Sequence, residues 1–75
     1  MREELFEIAA KAMHVTVNDA RQHWKAIPEH DAYYLWNPVR GGISVIINNN
    51  GEKLAATSSV TFERHLKAFL DGRRN

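Results

Sequence analysis

Cysteine is absent from this chain of 75 residues, which excludes a disulfide framework, a thiolate zinc site and a cysteine nucleophile. Proline occurs twice and glycine four times, too few for a collagen-like or low-complexity chain. No apolar run approaches the roughly eighteen residues of a membrane-spanning helix, so no membrane partner is expected. An excess of charge of one sign is also lacking. Ten Lys and Arg against nine Asp and Glu leave +1 with histidine neutral, which provides no general attraction to a polyanion. Met1-Arg2-Glu3-Glu4-Leu5-Phe6-Glu7 places three carboxylates where a secretory or transit peptide needs cations. A cytoplasmic location is expected.

What remains is a composition of 44% hydrophobic and 25% charged residues, that of a folded globule. One domain over residues 1–75 is expected, with roughly 4,700 Å² of exposed surface by size scaling. Charge is mildly asymmetric. Residues 1–37 hold four Lys and Arg against six Asp and Glu, and residues 38–75 hold six against three.

Leu5, Ile8, Ala9, Ala12 and Met13 recur at helical spacing behind an acidic N-terminal turn, which marks a first amphipathic helix. Thr16 with Asp19 three residues on reads as a cap for a second, carrying Val17, Ala20, Trp24 and Ile27 on one stripe and ending at Pro28. The period then changes. Asp31–Trp36 is aromatic, Ile43–Asn48 is β-branched and apolar, and Glu52–Ser58 follows Asn49-Asn50-Gly51, the strongest hairpin signal in the chain. Ser59 caps a last helix over Val60–Asp71 with Phe62, Leu66, Phe69 and Leu70 on one side, and residues 72–75 are expected to trail as a flexible tail. The predicted fold is α+β: two layers in the order α-α-β-β-β-α, a three-stranded antiparallel meander with all helices on one face.

A two-residue turn at Asn50-Gly51 pairs Ile47 with Leu54, and a six-residue loop over 37–42 pairs Trp36 with Ile43. Tyr33, Leu35, Ser44, Ile46, Lys53, Ala55 and Thr57 then fall on an uncovered face. Such a contiguous apolar patch marks an interaction surface. Tyr33, Leu35, Ile46 and Ala55 are therefore the expected protein-binding residues, with Lys53 and Arg40 at the rim. A homodimer formed through the same face is an equal expectation.

Catalytic and metal patterns fail. His14, His23, His30 and His65 have no i, i+4 pairing on one helix and no compact carboxylate set, so neither metal nor cofactor is expected. Ser58, Ser59, His65 and Asp71 hold the letters of a triad without a strained nucleophile turn. His30-Asp31 reads as turn chemistry, and Arg40-Gly41-Gly42 lacks the length of a phosphate loop. No enzymatic activity is expected. Arg64, Lys67, Arg73 and Arg74 lie on or after the last helix, where a module with this element order would meet nucleic-acid phosphates. RNA or DNA binding through those four cations is the alternative expectation.

Tyr33-Tyr34-Leu35-Trp36, Gly42-Ile43-Ser44-Val45-Ile46-Ile47, Asn50-Gly51-Glu52-Lys53-Leu54, Ser58-Ser59 and Glu63-Arg64-His65-Leu66-Lys67-Ala68-Phe69 follow one another over about half the chain. This succession resembles small cytoplasmic immunity proteins of bacterial polymorphic-toxin systems and their relatives without a known toxin. The resemblance implies a non-enzymatic protein that binds and neutralises a partner protein, with a toxin as the partner.

Overall fold

The computed structural model describes residues 1–39 and 42–75. Helix α1 (Glu3–Met13) carries Glu3 and Glu4 in its first turn, where the macrodipole favours carboxylates. It ends at His14 in the left-handed conformation (φ 59°). Helix α2 (Val17–Gln22) starts where expected, with the Thr16 side chain accepting the Asp19 N–H at 3.1 Å. It stops five residues before the expected end. His23 leaves helical geometry, its Nδ1–H donates to the Asp19 carbonyl at 2.8 Å, and Trp24–Ile27 become strand β1.

The stripe that suggested a longer helix is shared between two elements. Val17, Ala20 and Trp24 pack toward α1, whereas strand alternation sends Ile27 to the opposite face. Pro28 keeps its predecessor out of helical geometry, and Ile27 sits at φ −117°, ψ 79°. A single 3-10 turn (Pro28–His30) leads to β2 (Ala32–Trp36), β3 (Ile43–Asn48) and β4 (Lys53–Thr57). Among the described residues the sheet is four-stranded, antiparallel and in sequential order β1-β2-β3-β4. The α+β class stands, and the expected third strand becomes a fourth.

Both expected hairpin registers are displaced by one residue. Ile46, not Ile47, lies opposite Leu54, and Trp36 faces Ser44, not Ile43. At the β3–β4 turn the Asn48 side chain is responsible. Its Oδ1 accepts the N–H groups of Asn50 and Glu52 at 3.0 and 3.1 Å, so the turn begins at Asn48 and its loop is Asn49-Asn50-Gly51. Gly51 then takes the left-handed position (φ 82°) of a three-residue hairpin loop. At the β2–β3 end Asn37 joins the ladder, its N–H donating to the Ile43 carbonyl at 3.2 Å. A Cβ on Gly42 would meet the Asn37 side chain at 2.6 Å, so the chain returns past Asn37 on a glycine.

Two one-residue shifts cancel between β2 and β4 and turn β3 over relative to both. Tyr33, Leu35, Val45, Ile47 and Ala55 share the face packed against α1. Tyr34, Ile46 and Leu54 share the other, with Ile27 and Ala32. Helix α3 (Phe62–Leu70) covers that second face through Phe62, Leu66 and Phe69. Its cap is Thr61, whose hydroxyl accepts the Arg64 N–H at 3.3 Å, two residues beyond the expected Ser59. The sheet is therefore covered on both faces and the domain has three layers. The accessible surface of 4691 Å² agrees with the size of the expected globule. No helix among the described residues is long and apolar enough to cross a membrane.

Candidate functional site

The third layer removes the surface on which the first expectation rested. Leu35 and Ile46 lie on opposite faces and both are 0% exposed. Tyr33 is half-buried against the α1 side, its hydroxyl donating to Asn49 Oδ1 at 3.0 Å. Lys53 and Ala55 are half-buried and engaged by the chain's last residue, and Arg40 lies outside the described residues. The residues expected to mediate self-association do not share one face: Tyr33, Leu35 and Ala55 lie on the side of α1, and Ile46 lies under α3.

The surface that replaces it has two grooves sharing Val60. The first, of about 260 Å³, lies at the loop end of the β2–β3 hairpin. It is lined by Tyr34, Trp36, Val39, Ile43 and Val60, with Ser44 and Ser58 as polar groups. The Tyr34 and Trp36 rings stack with centroids 5.8 Å apart and planes 26° from parallel. Strand spacing puts these rings together, since residues i and i+2 face the same way. Phe62 meets Tyr34 edge-on at 4.9 Å, and the Lys25 ammonium sits 4.4 Å from the Phe62 centroid, so the aromatic cluster is held from both sides. Val39 is 68% exposed at the margin, the largest exposure of any large apolar side chain described.

The second groove, of about 180 Å³, runs between α3 and the outer edge of β4. Half-buried Ala55, Ala56, Val60 and Ala68 line it, and the exposed Arg64 and Arg73 flank it. Neither guanidinium has a carboxylate within 4 Å among the described residues. The other two cations of the nucleic-acid expectation are already engaged. Lys67 pairs with Asp71 at 3.3 Å. Arg74 lies 3.8 Å from the Phe69 centroid and donates to the Phe69 carbonyl at 2.7 Å.

Between the grooves sits a buried polar pair. His65, 1% exposed, donates its Nε2–H to the Leu54 carbonyl at 2.6 Å, which leaves Nδ1 to accept the Ser44 hydroxyl proton at 3.3 Å. Burial pushes the imidazole below its ordinary value of 6.5, and the Leu54 carbonyl opposes this more weakly. The imidazole is thus neutral at pH 7 and clamps α3 to β3 and β4. Ser58, Ser59 and Asp71 do not join it. Ser58 belongs to the first groove, the Ser59 hydroxyl meets Thr57 at 2.8 Å, and Asp71 meets Lys67. No group of three or more metal-ligating side chains occurs among the described residues.

Sequence reasoning missed the Ser44–His65 pair because the displaced register put Ser44 on an uncovered face. It missed the seat of Asn75 because nothing in Gly72-Arg73-Arg74-Asn75 marks a strand. Strand alternation put Tyr34 and Trp36 on one face, but the expected register made that face the core, so they too were missed as site residues. Among known proteins, no family pattern matches this chain, nor does any curated protein or solved structure.

Proposed function

We propose that this chain is a non-enzymatic binding protein that acts through contact with a partner protein. The reading is carried by one observation: the stacked Tyr34 and Trp36 rings line an open groove beside the exposed Val39. Tyr and Trp in a concave apolar setting are the usual anchors of protein interfaces, because they offer large rigid area at small entropic cost. The exposed Ser58 provides a hydroxyl for a bound main chain. By the resemblance drawn from its residues, a toxin protein is the first partner to try. The alternative, RNA or DNA held by α3 and the tail, has less support, since Lys67 and Arg74 are engaged within the chain.

Affinity capture of the tagged protein from its host lysate, with and without nuclease, tests the reading. A stoichiometric protein should survive nuclease and be lost with Val39→Asp, a change at an exposed position that spares the core. Loss of a hot-spot contact of about 2 kcal/mol weakens binding roughly thirtyfold. A bound species that nuclease removes, or a protein retained at full yield by Val39→Asp, overturns it.

A further inference from the structure

The tail does not trail into solvent. The Gly72 and Arg73 N–H groups donate back to the Phe69 and Ala68 carbonyls, a turn that reverses the chain after α3. Asn75 then lies along the outer edge of β4. Its side-chain amide accepts the Ala55 N–H at 2.9 Å and donates to the Ala55 carbonyl at 3.0 Å. Its main-chain N–H donates to the Lys53 carbonyl at 3.0 Å, and Lys53 Nζ donates to its main-chain oxygen at 2.6 Å. A primary amide joined to both groups of one edge residue imitates a peptide unit of a fifth strand. The edge therefore has the hydrogen-bonding pattern that accepts a strand, and the chain's own residue occupies it.

From this we infer that the β4 edge is a docking edge for an extended acidic segment of a partner protein, added as a strand once residues 74 and 75 lift away from the turn that holds Arg73. Charge chooses the occupant. Lys53 stands on the edge itself and loses its oxygen partner when Asn75 leaves, and Arg64 and Arg73 flank the adjoining groove without carboxylates. A second copy of this chain is disfavoured there, because pairing β4 with itself sets the same three cations against each other. A nucleic acid offers no alternating amide groups to Lys53 and Ala55. Strand addition draws affinity from the main chain and selectivity from flanking side chains, and here the flanking side chains are basic and the groove wall small and apolar. The seated tail competes, so apparent affinity is reduced by the fraction of time the edge is covered. The aromatic groove takes no part in this docking, and the β4 edge would accept a strand whether or not that groove binds a partner.

The test is a titration of the 15N-labelled full chain with a capped hexapeptide of alternating Glu and Val, read from amide chemical shifts. The same peptide with Lys for Glu and a short oligouridylate serve as competing probes. The Glu peptide should move the signals of Lys53, Ala55 and Thr57. Asn75→Ala, an exposed change far from the core, should tighten binding by about tenfold by uncovering the edge. Arg64→Ala combined with Arg73→Ala should weaken it by about tenfold, the loss of two modest charge contacts. No shift at Ala55 in Asn75→Ala overturns the inference, as does equal binding of the Lys peptide or preferred binding of the oligouridylate. Loss of the lysate partner with Val39→Asp alongside a silent β4 edge would leave the groove reading standing and remove this one.

Discussion

Against α1 the sheet presents Leu35, Val45 and Ile47, all completely buried, and the helix answers with Leu5, Phe6, Ala9, Ala10 and Met13. Against α3 it presents Ala32, Ser44 and Ile46, and only His65 and Phe69 of that helix are buried. The first interface is wholly apolar and closely filled. The second contains a hydrogen-bonded Ser–His pair, half-buried aromatic rings and both grooves. One face of the sheet supplies most of the apolar burial, and that leaves the other free to carry polar groups and open surface.

Substitution in the middle of the sheet should abolish the difference between the faces altogether. Ile47→Lys and Ile46→Lys each bury an ammonium without a partner, and both should unfold the chain, seen as loss of far-UV circular dichroism. Had Ile46 faced solvent, as the two-residue turn implies, its lysine variant would remain folded. Truncation should then separate the two sides by magnitude. Leu5→Ala, fully buried against the sheet, is expected to cost about 3 kcal/mol in urea unfolding, whereas Leu66→Ala, half-buried on α3, should cost about 1 kcal/mol.

The first of those pairs shows where the residue pattern stopped being informative. Helices α1 and α3, the cap at Thr16 and the three strands β2 to β4 are marked by apolar period and by Asn and Gly in the turn. Strand β1 is four residues long and shares its stripe with α2, so periodicity alone cannot distinguish a continued helix from a strand there. The turn register depended on the Asn48 carboxamide capturing two backbone N–H groups, a local competition that the dipeptide Asn-Gly does not reveal. Because side chains alternate, a one-residue displacement moved Ile46 from a surface to the core and Ser44 to the partner of His65. The candidate site was not legible: the expected register gave Tyr34 and Trp36 to the core and the binding surface to Tyr33, Leu35, Ile46 and Ala55.

Two smaller effects sharpen the contrast and belong to the α3 side alone. Below pH 6.5 the unfolded chain takes up a proton that buried His65 resists, so stability should fall as pH drops through 6.5. His65→Gln, which has no ionisable group, should flatten that part of the profile when urea midpoints at pH 7.5 and 5.5 are compared. A change confined to the α1 side, such as Leu5→Ala, should lower the whole profile without altering its slope. The least effect is expected from Lys25→Ala, which removes an ammonium from over the face of the Phe62 ring and should cost about 0.5 kcal/mol.

Sequential strand order also governs how quickly such a sheet can assemble. The connections between paired strands are four residues (28–31), six (37–42) and four (49–52), so no ladder waits for a distant segment to diffuse into place. Closing loops of that length takes on the order of tens of nanoseconds, and hairpins form in microseconds. The longest search is that of α1, whose Leu5 and Ala9 must find Val45 and Ile47 about 40 residues along the chain. Mutations in α1 should therefore be felt mainly in the rate of folding if that docking forms the nucleus, and mainly in the rate of unfolding if the meander forms first and α1 closes over a sheet already made.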